Sequence, residues 1–216
     1  MAAIPNPYNP LQPADDPVYF YGREDAFAFF RQRLVGTAHE RALVLIGRRG
    51  LGKSSLLRQL PHQIDDTYRS CIINVGALDL GSEGALLAGL VDEIHLALEQ
   101  AEASTYRLPD WPTPGEGEPT QLREWFKAEY LQVALAALRG RHLLLAFDDA
   151  HLMLEAMDRG ALPADWLHYV ETLLAAHERL DLILALDAAF ENRVLSIELT
   201  NDPTLLRAWC ASRWQS

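Results

Sequence analysis

Short apolar runs alternate along the chain with longer stretches in which apolar residues recur at helical spacing. Ala42-Leu43-Val44-Leu45-Ile46-Gly47 has no polar position and ends on glycine, which is the look of a strand buried on both faces of a parallel sheet. His142 to Phe147 repeats the pattern and ends in Asp148-Asp149; Leu182 to Leu186 repeats it again. Cys71-Ile72-Ile73-Asn74-Val75 supplies another strand, and a weak alternation over Val194 to Leu199 a fifth. Between these runs the spacing predicts helices. One covers 23–35, with Phe27, Phe30 and Leu34 on one side. A second runs from about Lys53 to Leu60 and stops before Pro61, because the residue preceding a proline is biased away from helix. A third, over 83–103, aligns Leu86, Leu87, Leu90, Ile94 and Leu98; two more cover 121–139 and 163–179.

Strands separated by helices imply βαβ units and a parallel sheet covered on both faces. The expected fold is therefore α/β, a three-layer αβα sandwich around a mainly parallel five-stranded sheet. Residues 1–17 carry Pro5, Pro7, Pro10, Pro13 and Pro17 and read as an extended arm. The domain is expected over 18–210, with a tail over 211–216. Residues 104–120 contain four prolines and two glycines and form a loop. Trp111 within it has two readings, a partner-binding loop or a flexible insertion.

Composition narrows the classes. The chain has 216 residues, 49% hydrophobic and 23% charged, with a formal net charge of −11. A chain this acidic lacks the basic footprint of a sequence-independent nucleic-acid binder. Cys71 and Cys210 have no metal-ligand spacing around them, and the histidines form no ligand cluster. The N-terminus shows no basic-then-apolar signal pattern, and no run of about 18 apolar residues exists. The expectation is a cytoplasmic protein with no membrane contact.

The strongest chemical signal is Gly47-Arg48-Arg49-Gly50-Leu51-Gly52-Lys53-Ser54. A G-x-x-x-x-G-K-S string arises by chance in on the order of one chain in a hundred of this length. Here it follows a predicted strand and precedes a predicted helix, the context that gives it meaning. Gly47, Gly50 and Gly52 let backbone N–H groups turn inward without a Cβ clash, and the helix beginning near Lys53 adds its positive end. Lys53 is expected at the β- and γ-phosphates and the Ser54 hydroxyl on Mg²⁺. Arg48, Arg49, Leu51 and Ser55 complete the expected nucleotide contacts, although arginines in such a loop more often point to solvent. The implied ligands are ATP or ADP, with Mg²⁺.

The second signal is the strand Leu143-Leu144-Leu145-Ala146-Phe147 ending in Asp148-Asp149, the Walker B pattern. The first acid, Asp148, holds Mg²⁺ through its water shell. The second, Asp149, orients and polarises the attacking water; it is one methylene shorter than the glutamate that commonly does this.

GRRGLGKSS, LLLAFDDAH and Phe20-Tyr21-Gly22-Arg23-Glu24 together resemble the P-loop ATPases of the AAA+ and STAND group. The resemblance spans about residues 17–210 but rests on these three short stretches. It implies that Tyr21, Gly22 and Arg23 lie against the adenine and ribose, as the similar Y-G-R-E element does in origin-recognition-type AAA+ and bacterial STAND proteins. The Asp-Asp-Ala-His form is more similar to STAND signalling ATPases than to processive AAA+ motors. Two departures stand out. The family's sensor position holds Asp187 here, which cannot donate a hydrogen bond to a γ-phosphate when ionised. The family's helical lid finds room for about one helix, so its second sensor arginine is expected from elsewhere. Arg193 matches the location of an AAA+ arginine finger, and reads equally well as a surface arginine. His151 is either a sensor of bound nucleotide or a structural histidine. Trp209 and Trp214 suggest a surface that a lid or partner covers.

These features lead to a Mg-dependent ATPase acting as a nucleotide-controlled switch, slow alone and helped by self-association or a protein partner. Two alternatives remain: a nucleic-acid-remodelling AAA+ ATPase of initiator or transposition-helper type, disfavoured by the acidic balance, and a nucleotide-binding module without efficient turnover.

Overall fold

The computed structural model describes residues 23–35, 41–112, 119–190 and 206–210. The Pro-rich arm and the run Val194 to Leu199 lie outside them. Five parallel strands form one sheet: β1 (Ala42–Gly47), β2 (Tyr68–Asn74), β3 (His142–Asp148), β4 (Leu180–Asp187) and β5 (Leu206–Cys210), in the order β2-β3-β4-β1-β5. Because side chains alternate across a strand, the sheet sorts its residues by parity. Leu43 and Leu45 of β1, Leu144 and Ala146 of β3, and Ile183 and Ala185 of β4 face one layer. That layer holds α1 (Glu24–Phe30, continued by a π-type turn Arg31–Val35) and α2 (Lys53–Gln63). Val44, Ile46, Leu145, Phe147, Leu182 and Leu184 face the other. There lie α3 (Glu83–Gln100), α5 (Leu131–Ala137), α6 (His151–Asp158) and α7 (Trp166–Ala176). This is the expected sandwich, and both faces of the central strands are fully covered. None of the described helices is long and apolar enough to cross a membrane.

Several boundaries differ from the sequence reading for physical reasons. Helix α2 does not stop before Pro61 but carries it inside the last turn. Leu56, Leu57 and Leu60 are buried against the sheet while Pro61 is exposed, so core packing on one side holds a turn whose proline faces solvent. The helix expected over 121–139 is three pieces, α4 (Pro119–Glu124), a π-type turn Trp125–Tyr130 and α5. Helix α3 ends at Gln100, three residues early, where Glu102 takes a left-handed backbone. The helix expected from 163 begins at Trp166, and α6, which was not foreseen, follows directly on Asp148-Asp149. The sheet's fifth strand is Leu206–Cys210.

Candidate nucleotide site

Strand β1 delivers a buried Gly47 to the C-terminal end of the sheet. The chain then turns through Arg48–Gly52, with the Leu51 N–H donating to the Arg48 carbonyl at 3.3 Å. Gly50 and Gly52 sit at φ +84° and +83°, a left-handed backbone that costs a residue with a Cβ roughly 1–2 kcal/mol. Gly52 is the N-cap of α2 and offers no capping side chain, so the first N–H groups of the helix, which have no intrahelical acceptor, open toward the loop. Arg48 and Arg49 are exposed.

Lys53, the first residue of α2, is buried. Its Nζ donates to the Gly47 carbonyl at 2.7 Å and the Arg48 carbonyl at 3.2 Å. Burial pulls the ammonium below its ordinary lysine value; the negative charges of Asp187, Asp149 and Asp148, in that order, oppose the shift. Lys53, Asp148, Asp149 and Asp187 thus converge here. Ser54 joins them, its hydroxyl close enough to the Asp148 carboxylate to favour the ionised form. Strand β4 lies between β1 and β3, so the two halves of the site stand on strands roughly 10 Å apart, and Ser54 and Asp148 approach each other across the gap. Burial raises the Asp148 carboxyl above its ordinary value, with the nearby Ser54 hydroxyl as the main counterweight.

Asp149 occupies a left-handed backbone at φ +54°. Its N–H donates to Asp148 Oδ1 at 3.1 Å, and its side chain is half exposed. The Ala150 N–H ties this turn to the Ala185 carbonyl of β4 at 2.8 Å. His151 places Nδ1 4.0 Å from Asp149 Oδ1 and packs its ring against Phe190 at 5.3 Å. Arg23 reaches the phosphate loop as well, donating from Nη2 to the Leu51 carbonyl at 3.1 Å. Tyr21, Gly22, Arg193, Trp209 and Trp214 cannot be compared, because these residues, or in the case of Trp209 its side chain, lie outside the described set. Trp111 packs edge-on to Trp125 at 5.3 Å, against the main core.

Sequence reasoning put Asp187 at the sensor position but not beside Lys53. Its register partner across β1 and β4 is Gly47, and its charge acts on Lys53 more strongly than those of Asp149 and Asp148. Only strand order and register reveal that neighbour. Ser54 and Asp148 offer hard oxygens of the kind Mg²⁺ takes. Among the described residues no three His, Cys, Asp or Glu side chains are placed to hold a metal by themselves.

A parallel sheet with a glycine loop between β1 and α2, and an acid at the end of the second strand over, defines a P-loop nucleotide-binding fold. The model of the AAA ATPase domain matches residues 19–186, and the chain belongs to that family. Among solved structures it is similar to the Walker-type ATPase PABY2304 of Pyrococcus abyssi, at TM-score 0.54 and 19% identity, over 92% of this chain. The chain spans 56% of that protein, so the likeness concerns the fold. A looser likeness, to ATPases 2 and 3 of Thermomonospora curvata EccC in complex with a signal sequence peptide, has a TM-score of 0.34 at 20% identity. It covers 75% of this chain and 28% of that one. No curated protein matches the sequence.

Proposed function

We propose that this chain is a Mg²⁺-dependent ATPase working in the cytoplasm as a nucleotide-controlled switch, with 18–210 as the ATPase unit. The observation that carries the reading is the buried Lys53 ammonium, bonded to the Gly47 and Arg48 carbonyls and facing the carboxylates of Asp148 and Asp149. It brings a loop cation and the strand-end acids together across an intervening strand. Lys53 would exchange its bonds to the Gly47 and Arg48 carbonyls for phosphate oxygens. Ser54 and Asp148 would hold Mg²⁺, which when bound neutralises charge between the β- and γ-phosphates. Asp149 would orient the attacking water, and Tyr21, Gly22 and Arg23 would flank the base and ribose.

Phosphoryl transfer is mostly positioning and charge neutralisation, and an added arginine is worth about 10³–10⁵ in rate. In this reading the isolated chain turns over slowly, and Arg193 acts on a neighbouring chain's nucleotide. The test is ATP turnover per chain against protein concentration. The rate should rise with concentration, and Arg193→Ala should remove the rise while sparing ATP binding. Fast turnover from a chain shown by sedimentation to be monomeric would refute the assembly requirement. Tight ATP binding with no turnover at any concentration would instead favour the module without catalysis, a reading supported by the short Asp149 and by Asp187 opposite Gly47.

A further inference from the structure

A second site stands at the opposite end of the sheet. The N-terminal ends of β2 and β3, the end of α2 and the turn from α5 to β3 enclose an open cleft of about 570 Å³. Its walls include Arg69, Arg139 and Arg141, with Asp66 the only carboxylate among them. No ion pair engages any of the three guanidinium groups among the described residues. Arg69 spends Nε on the Ala97 carbonyl at 2.9 Å and Nη2 on Gln100 Oε1 at 3.0 Å, which leaves Nη1. The Arg141 guanidinium makes one long bond among the described residues, from Nε to the Leu138 carbonyl at 3.4 Å. Arg139 is exposed; its N–H donates to the Ala136 carbonyl at 3.1 Å, and its side chain makes no hydrogen bond among the described residues.

The arrangement is unfavourable as it stands. Like charges on neighbouring side chains repel, and burial together with the positive charge of Arg141 holds Arg69 below its ordinary value. Arg139 also sits at φ +53° just past the end of α5, a position where glycine is favoured. An acidic chain thus gathers three arginines, one in a strained backbone, around a space large enough for a small-molecule ligand. A negative ligand between them would relieve the repulsion.

We propose that this cleft binds a phosphate group. A carboxylate has two oxygens and suits one guanidinium fork, whereas a phosphate presents three or more acceptors to several forks at once. A nucleic-acid strand fits less well. Three arginines neutralise few phosphates, and the chain's net charge of −11 opposes a long polyanion. The phosphate arrives either on a small molecule or on a phosphorylated side chain.

The test uses the full chain with its phosphate loop saturated by a non-hydrolysable ATP analogue and Mg²⁺. Calorimetric titrations follow pyrophosphate, a phosphoserine peptide and the same peptide unphosphorylated. The expected result is a salt-sensitive second binding event with pyrophosphate, with the phosphopeptide, or with both; which probe binds identifies the source. Arg139→Gly with Arg141→Ala should weaken that event about tenfold or more, and Arg139→Gly suits the left-handed backbone, so the fold is kept. Lys53→Ala should leave the event in place, separating it from the phosphate loop. Absence of a second event with both pyrophosphate and the phosphopeptide overturns the proposal. So does equal binding by the double variant, or equal binding of the unphosphorylated peptide.

Discussion

Replacing Lys53 with methionine keeps the aliphatic stem and removes the cation, and its effect can be worked through. The ammonium is buried, faces Asp187, Asp149 and Asp148, and makes two bonds to loop carbonyls. Hydrogen bonds to charged groups are worth about 1.5–3 kcal/mol each, so losing two phosphate contacts should weaken Mg·ATP by roughly 3–6 kcal/mol. That corresponds to about two to four powers of ten in affinity. The readout is thermal unfolding with and without Mg·ATP. A ligand at a hundred times its Kd stabilises by about 2.7 kcal/mol. For a domain of this size each kcal/mol moves Tm by about 2–4 °C. The parent should therefore gain about 5–11 °C, and Lys53→Met at the same ATP concentration should gain less than about 1 °C. A Lys53→Met chain that gains as much as the parent would refute the placement of the triphosphate in this loop.

Other substitutions divide the remaining roles. Asp148→Asn should weaken the Mg²⁺ dependence of ATP binding, while Asp149→Asn should leave binding intact and slow hydrolysis; equal loss of binding from both, measured with a fluorescent ATP analogue, would show the roles misassigned. Cys71 is buried and its thiol is pushed up to about 12, so in a Cys210→Ser background its alkylation at pH 8 should be slow and track global unfolding. The sign of the linked effect follows: its favourable contribution is complete below the unfolded thiol value of about 8.5 and is lost as pH rises toward 12. Urea midpoints should fall across that window more steeply than for Cys71→Ala. Asp181 is fully buried, accepts from His142 Nδ1 at 2.7 Å and faces Arg41 at 3.9 Å. Asp181→Ala should cost about 3–5 kcal/mol, read as a lower denaturant midpoint; a loss under 1 kcal/mol would show that the buried charge is not structural.

What could be read from the sequence was whatever a single segment announces. Strands β1, β3 and β4 declare themselves because both their faces are buried and each carries an unbroken apolar run, Ala42 to Ile46, Leu143 to Phe147 and Leu182 to Leu186. The phosphate loop is legible because glycine is needed where φ is positive, and Gly50 and Gly52 take those angles. Illegible features depend on partners distant in the chain. Leu206–Cys210 includes Arg207 and carries no continuous apolar run, so its pairing with β1 leaves no local trace. Helix α6 is short and begins directly after the acidic pair, so the acids and His151 obscured its periodicity. The approach of Ser54 to Asp148, that of Arg23 to Leu51 and the facing of Asp187 to Gly47 are products of strand order. A continued helix at Pro61 likewise needed the core beneath α2 to be known.

The central position of β4 also governs how the chain can assemble. Strand β1 has no hydrogen-bonded neighbour until β4 arrives, and the pair Ala42↔Leu182 is separated by about 140 residues of chain. Strands β2 and β3 can pair with each other earlier, as Tyr68↔His142, but they cannot give β1 an edge. During synthesis, therefore, the apolar strand Ala42–Gly47 emerges from the ribosome at about 5–20 residues per second and waits several seconds for its partner. Closing so long a loop is entropically costly and slows folding. A truncated product ending before Leu180 carries the complete glycine loop yet leaves β1 unpaired, an aggregation-prone surface that holdase chaperones recognise.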